Sequence, residues 1–148
     1  MESLVSADHM PLLEATWHEK HFASGIPAYV GAPSGIQWIR DRGHEVVFVT
    51  TSMHTSPYWL WERYLWLKRV LGADGRDIVF AARKEYTHGD MLVDDKPSNV
   101  LAFNKEGRGI GILWEQPWNR HDREGVKTCN GWSELAAYVL EFEKGGLA

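Results

Sequence analysis

The sequence predicts an α/β protein: a doubly wound parallel sheet with helices on both of its faces. Short apolar runs alternate with segments of helical length along most of the chain. The runs are continuously apolar, without the polar alternation of a strand that has one face in water, and such strands are typical of a covered parallel sheet. In a sheet of this kind the crossovers are right-handed, and the ligand site lies at the carboxyl ends of the strands.

Four apolar runs bounded by turn residues are the predicted strands. They cover residues 46–49, 78–81, 91–93 and 109–113. Five segments with helical spacing or helix caps are the predicted helices. They cover residues 11–21, 34–42, 57–71, 96–106 and 131–143. Ser133 is the expected cap of the last helix, and the first 30 residues contain no convincing strand.

The composition limits the classes of protein that the chain can belong to. With 148 residues it is long enough for one compact domain and too short for two. The net charge is -4 and the basic residues are scattered, which argues against binding of polymeric nucleic acid. No apolar run is long enough to span a membrane, the first residues lack a signal-peptide pattern, and the single cysteine, Cys129, cannot form an internal disulfide. We therefore expect a cytoplasmic protein.

Polar side chains follow three of the predicted strands: Thr51 and Ser52 the first, Lys84 the second, and Asp94 with Asp95 the third. Because the carboxyl ends of parallel strands meet at one edge of a sheet, we expect these side chains to converge. Hydroxyl groups can hydrogen-bond a phosphate, a lysine can neutralise developing charge, and paired carboxylates can hold Mg2+. The set indicates phosphoryl-transfer chemistry, although it contains no nucleophile.

Each of these residues also has a purely structural interpretation. Thr51 and Ser52 would then form a strand-end turn or a helix cap, and Lys84 would be a solvated loop charge. Asp94 and Asp95 would cap the helix that follows them. Two adjacent carboxylates directly after a buried strand nevertheless favour a metal site, because a cation usually relieves their repulsion.

Six segments of the chain, taken in order, also form a pattern. They are residues 17–32, 47–52 and 56–66, Arg83-Lys84, residues 91–97, and Pro117-Trp118-Asn119 with Gly131-Trp132. In this order they resemble the 5'(3')-deoxyribonucleotidase family of the haloacid-dehalogenase-like phosphatases, over nearly the whole chain. The Leu-Val-Asp-Asp-Lys-Pro run and the Pro-Trp-Asn tripeptide are the most specific of them. The resemblance implies a Rossmannoid parallel sheet flanked by helices.

The resemblance also implies a function. It is that of a Mg2+-dependent phosphomonoesterase of the 5'-nucleotidase type, which dephosphorylates deoxyribonucleoside monophosphates. Thr51 and Ser52 would bind the transferring phosphoryl group. Lys84 would stabilise that group and orient the nucleophile, so Lys84 and Thr51 are expected catalytic residues. Asp94 and Asp95 would hold the Mg2+.

One motif of the family is missing: the family opens with an apolar strand that ends in Asp-x-Asp-Gly and supplies the nucleophile. In the alignment that we favour, through Trp17, the sequence begins inside the family's cap. The chain is then one domain over residues 1–148, with a cap remnant and the return to the core over 1–30 and the α/β core over 31–148. Trp17 and Phe22 would lie on the cap side and face the nucleobase.

A second alignment treats residues 4–8 as a degenerate first motif, with most of the cap deleted. Asp8 would then stand at the position of the catalytic acid and base, and Ser6 at that of the nucleophile. Loss of the family's central first strand would leave two unpaired strand edges facing a gap. We expect the gap to be filled by residues 3–5, by a strand from a second protomer or a partner chain, or by upstream sequence.

Three functional hypotheses from different classes follow. The first is an active deoxyribonucleotidase whose missing aspartate is supplied from elsewhere or replaced. The second is a catalytically inactive relative that still binds nucleotide and Mg2+. The third is a subunit whose open sheet edge docks a partner. The polar set retained at the strand ends argues against the third, because a scaffold need not keep a phosphate site.

Overall fold

The computed structural model describes residues 10–121 and 125–147. It divides the chain into two compact units, Met1–Ala82 and Arg83–Ala148. Each unit is an α/β structure with parallel strands, which confirms the predicted fold class, while a single domain over residues 1–148 stays a prediction. Among the described helices, none is both long and apolar enough to cross a lipid bilayer.

Within the described residues, the first unit contains a two-stranded parallel sheet and four α-helices. In chain order these are α1 (Met10–Trp17), α2 (Phe22–Gly25), α3 (Ala32–Asp41), β1 (Phe48–Thr50), α4 (Trp59–Leu71) and β2 (Ile78–Phe80). Strand β1 pairs with β2 in the register Phe48 to Ile78 and Thr50 to Phe80. Trp66, Leu67 and Ala73 form the core cluster of this unit, because the inner face of α4 packs against the two strands.

Helix α4 ends where the sequence predicts it. Gly72 has a φ of 63°, a left-handed conformation that glycine adopts without a steric penalty, and its N–H caps the Leu67 carbonyl. Nη1 of Arg40, on α3, donates to the carbonyl oxygens of Leu71 and Gly72, each at 3.2 Å. The end of α4 is thereby fixed to α3.

In the part of it that the structure describes, the second unit contains a three-stranded parallel sheet and two α-helices. In chain order these are β3 (Met91–Asp94), α5 (Pro97–Lys105), β4 (Ile110–Trp114), β5 (Lys127–Cys129) and α6 (Trp132–Glu143). The strand order is β3-β4-β5, so β4 lies in the middle. Ile112, Leu113 and Cys129 are fully buried, and α5, which carries the fully buried Val100, packs against β3 and β4. Strand β4 and its neighbours therefore form the core of the unit.

Helix α5 approaches β4 closely at Gly111. A Cβ atom on this residue would lie 2.8 Å from Cγ1 of Val100 and 2.9 Å from the Val100 carbonyl oxygen. The Gly111 N–H donates to Oδ1 of Asn104, also on α5, at 2.6 Å. Because a side chain would push the helix away from the strand, Gly111 sets the distance between them.

The four predicted strands are all present, and their ends differ from the predicted ones by at most two residues. Strand β5 was not predicted. The helix predicted over residues 11–21 is wrong beyond Trp17, where a turn and the short α2 follow. Ser133 is not the cap of α6, because that helix begins at Trp132 and its N-cap is Gly131.

The predicted gap concerns one edge of β1 and one edge of β3, which lie in different units. Within the described residues, β1 pairs with β2 and β3 pairs with β4, and no strand pairs with the other edge of either β1 or β3. Residues 3–5, one predicted occupant of the gap, lie outside the described part of the chain. The identity of the occupant therefore stays a prediction.

Candidate functional site

Asp94 is the last residue of β3, and its carboxylate accepts three hydrogen bonds. Oδ2 accepts from Nζ of Lys84 at 2.5 Å. Oδ1 accepts from the Lys96 N–H at 2.8 Å and from Nδ2 of Asn99 at 3.0 Å. The Asp94 side chain is only 2% exposed, so its charge is balanced by these donors and not by water.

Lys84 begins the 3-10 turn Lys84–Tyr86, where its backbone is held by Thr87. The Thr87 hydroxyl donates to the Lys84 carbonyl at 2.6 Å, and the Thr87 N–H donates to it at 3.0 Å. The Lys84 side chain is 16% exposed and paired with Asp94. Its interpretation as a solvated loop charge is therefore wrong.

Asp95 differs from its neighbour because the residue is exposed. Partial desolvation of the carboxyl group, followed in size by the negative charge of Asp94, raises the pKa of Asp95 above its usual value. Neither aspartate is the N-cap of α5, which is Lys96 without a side-chain cap, although Asp94 does bind the Lys96 N–H. Asp95 is thus a carboxylate open to a cation, with Asp94 held beside it.

The buried side chain of Asn119 fixes the backbone of Asp95. It is 1% exposed, and its Nδ2 donates to the Asp95 carbonyl at 2.8 Å and to the Trp114 carbonyl at 2.9 Å. Its Oδ1 accepts from the Gln116 N–H at 2.9 Å. One buried amide therefore ties the residue after β3 to the end of β4.

Thr51 and Ser52 directly follow β1, in the first unit. Oγ1 of Thr51 donates to the Ala81 carbonyl at 3.4 Å, and Oγ of Ser52 hydrogen-bonds Nδ1 of His54 at 3.2 Å. They do not cap α4, whose N-cap is Tyr58, and it is Oγ of Ser56 that accepts from the N–H of Trp59, at 3.3 Å. The helix-cap interpretation is therefore wrong, and the turn that follows β1 lies at His54 and Thr55, after these two residues.

The predicted nucleobase residues both lie in the first unit. Trp17 ends α1 and is half-buried. Phe22 begins α2, and its ring stacks on Trp59 with a centroid distance of 6.0 Å. Asp8 and Ser6 lie outside the described residues. Their assignment to the first motif stays a prediction.

The structure thus brings Lys84, Asp94 and Asp95 together in the second unit, and it reveals two residues of this site that the sequence analysis did not assign. Asn99 lies in the first turn of α5, and Asn119 is the last residue of the Pro-Trp-Asn tripeptide. The tripeptide was itself a signal, since a buried asparagine side chain requires hydrogen-bond partners. Asn99 carries no such signal in the sequence.

The buried thiol of Cys129 has no part in the site just described. Burial, together with the nearby Glu134 and Glu115, raises the pKa of Cys129 to about 12, so its thiol is protonated and unreactive at neutral pH. In the described ranges, no group of three or more histidine, cysteine, aspartate or glutamate residues could hold a metal ion. A metal at the end of β3 would have to depend on Asp94 and Asp95.

Parallel strands flanked by helices, with a lysine and two carboxylates at the end of a strand, define a protein of the haloacid-dehalogenase-like class. The model of the family described as "5' nucleotidase, deoxy (Pyrimidine), cytosolic type C protein" matches residues 2–143. The chain belongs to this family.

Individual relatives agree with this assignment. A "Putative 5'(3')-deoxyribonucleotidase" of Bordetella pertussis is 28% identical over 132 residues, which are 87% of this chain and 69% of the relative. A protein of the same name from Staphylococcus epidermidis is 32% identical over 96 residues, which are 65% of this chain and 48% of the relative. The match to the second relative thus covers about half of its length.

Proposed function

We propose that this chain is a Mg2+-dependent phosphomonoesterase that dephosphorylates deoxyribonucleoside monophosphates. The observation that carries the proposal is the family match over residues 2–143. The printed names of the relatives support the choice of substrate. The Lys84–Asp94 ion pair supports the proposed activity as well. Burying two charges is costly, so a buried ion pair at the end of a strand agrees with a role in holding Lys84 in a defined position.

The proposal gives each of the predicted site residues a role. Thr51 and Ser52 donate hydrogen bonds to the phosphoryl oxygens, and the Lys84 ammonium neutralises the charge that develops on them. Asp94 keeps Lys84 in place through its bond to Nζ. Trp17 and Phe22 contact the nucleobase.

Asp94 and Asp95 are the residues that would hold Mg2+. This donor set fits the ion, because Mg2+ in proteins is bound by one or two carboxylate groups and keeps several of its waters. The exposure of Asp95 and the mutual repulsion of the two carboxyl groups favour a cation at this position. When bound, Mg2+ would neutralise charge on the phosphate oxygens.

A second candidate function is a relative that binds nucleotide and Mg2+ without hydrolysing the ester. The observation that favours it is the absence of any Asp-x-Asp motif from the 148-residue sequence. Without a covalent nucleophile, the remaining residues can position and stabilise a phosphate but cannot form a phosphoryl-enzyme intermediate. In both cases we propose a cytoplasmic location, which the free thiol of Cys129 supports.

Phosphate release from dUMP and dTMP, measured with Mg2+ and with EDTA alongside nucleotide binding, distinguishes the two candidates. Turnover that requires Mg2+ is the result expected of the phosphomonoesterase, and Asp8 is then the first residue to replace. Binding without turnover identifies the inactive relative. A chain that neither binds nor hydrolyses these nucleotides contradicts both.

We expect Asp95→Asn to weaken Mg2+ binding about tenfold or more, since the exposed carboxylate supplies much of the attraction for the ion. Isothermal titration with MgCl2 measures the affinity. Asp90→Asn is the matched control, because Asp90 is also exposed and precedes the same strand. Equal Mg2+ affinity in the two variants would contradict the metal assignment.

A further inference from the structure

Glu62, on α4, is a buried carboxylate that binds backbone groups far away in the sequence. It is 8% exposed. Its Oε1 accepts from the His21 N–H at 2.5 Å, and its Oε2 accepts from the Ser24 N–H at 3.4 Å. The first is a charge-assisted bond of the stronger kind. Both oxygens of Glu62 thus hold the single turn of α2.

That turn has little stability of its own. Helix α2 is four residues long, and so short a helix cannot persist without contacts from elsewhere. Within the described residues, His21 is the only one other than glycine with a positive φ, at 72°. This left-handed conformation is unfavourable for an L-residue with a side chain. The Glu62 carboxylate offsets that cost where it binds the N–H of the same residue.

The turn carries Phe22, which is connected to the end of β1 by two contacts. Its ring stacks on Trp59 with planes inclined by 28°. The Trp59 indole Nε1 donates to the Thr51 carbonyl at 3.3 Å. Contacts therefore run without interruption from Glu62 through the turn and the two aromatic rings to Thr51.

Two further residues of α4 hold the same stretch of chain. Nε1 of Trp66 donates to the Ile26 carbonyl at 2.7 Å, and Nη2 of Arg69 donates to the Ser24 carbonyl at 3.2 Å. These bonds fix the part of the stretch that follows Phe22. Glu62 alone among the three binds His21, the residue directly before Phe22.

We propose that Glu62 is a positioning residue, which holds the Phe22 ring against Trp59 beside Thr51 and thereby determines affinity for the nucleoside part of the substrate. The inference rests on the proposed function, in which Phe22 contacts the nucleobase. It adds a division of labour: the Glu62 clamp serves the base, while the Thr51 hydroxyl, which binds phosphate, is held by its own hydrogen bond to the Ala81 carbonyl. Loss of the clamp should therefore separate the two affinities.

The test compares Glu62→Gln with the wild-type chain by isothermal titration of dUMP and of inorganic phosphate. Glutamine keeps the size of the side chain but removes its charge and one of its two acceptors. We expect the dUMP affinity to fall about tenfold and the phosphate affinity to change by less than about twofold. Glu19→Gln is the control, because it removes the same charge from an exposed residue two positions before His21.

Hydrogen exchange provides a readout that needs no ligand. In Glu62→Gln the His21 and Ser24 amides should lose protection, while the amides of α4 keep it. Glu62→Asp, which retains the charge on a shorter side chain, should restore part of the dUMP affinity. If Glu62→Gln does not fold, Glu62→Asp is measured in its place, and the same selective loss is expected at a smaller size.

The possible results separate the inference from the proposed function. A wild-type chain that binds dUMP, with unchanged affinity in Glu62→Gln, overturns the inference alone. Parallel losses of dUMP and phosphate affinity overturn it too, as does unchanged exchange at His21 and Ser24. A wild-type chain that binds no nucleotide overturns the proposed function and this inference with it.

Discussion

Lys84→Met is expected to lower the free energy of unfolding by about 3 to 5 kcal/mol, because it leaves the Asp94 carboxylate buried without its counter-ion. The Asp94 side chain is 2% exposed, so water cannot replace the lost ammonium group. The hydrogen bonds from Lys96 and Asn99 remain but carry less positive charge. Urea unfolding followed by tryptophan fluorescence measures the change.

Arg83→Gln is the matched control for this substitution. Arg83 pairs with Glu85 at 2.7 Å, but its side chain is 64% exposed, so we expect a much smaller loss of stability than in Lys84→Met. Adding Asp94→Asn to Lys84→Met should recover part of the lost stability, because the uncompensated charge is then gone. A Lys84→Met chain as stable as the control would show that the ion pair contributes nothing to the fold.

The second large effect is expected for Asn119→Leu, which keeps a side chain of similar size and removes all of its hydrogen bonds. The Asp95 carbonyl, the Trp114 carbonyl and the Gln116 N–H each lose a partner at a residue that is 1% exposed. At roughly 1 to 3 kcal/mol for each unsatisfied buried group, we expect a loss of about 3 kcal/mol or more. Urea unfolding measures it.

Asn130→Leu provides the comparison, since Asn130 is exposed and lies in the same unit. We expect that change to stay within about 0.5 kcal/mol of the wild-type chain. If Asn119→Leu cost no more than its exposed counterpart, the amide would not be what joins the loop after β3 to β4. Weaker Mg2+ binding should accompany the loss of stability, because the Asp95 backbone is then no longer fixed.

Most of the fold could be predicted because β1 to β4 each contain a continuous apolar run. Strand β5 could not, since Lys127–Cys129 contains only one apolar residue, Cys129, and so forms no apolar run. Its place in the sheet comes from pairing with β4 and not from a pattern of its own. Helix α2 was missed for a similar reason, as its turn is held by Glu62, 41 residues from His21 in the sequence.

The candidate site was predictable to a similar extent. The placement of Lys84 and Asp94 after consecutive strands of the chain correctly indicated that their side chains would meet. The sequence did not distinguish the buried Asp94 from the exposed Asp95, because the two adjacent residues have the same chemistry. Nor did it reveal the bond from Asn119 to the Asp95 carbonyl, which spans 24 residues and depends on how the chain returns after β4.

The close approach at Gly111 also limits how this protein can evolve. Any larger residue there would move α5, whose first turn supplies Asn99 to Asp94, so a change in the core would reach the candidate site through a rigid helix. Position 111 can therefore change only together with its neighbours at 100 and 104. Single substitutions of Gly111 are therefore disfavoured, although this residue touches neither substrate nor metal in the proposed reaction.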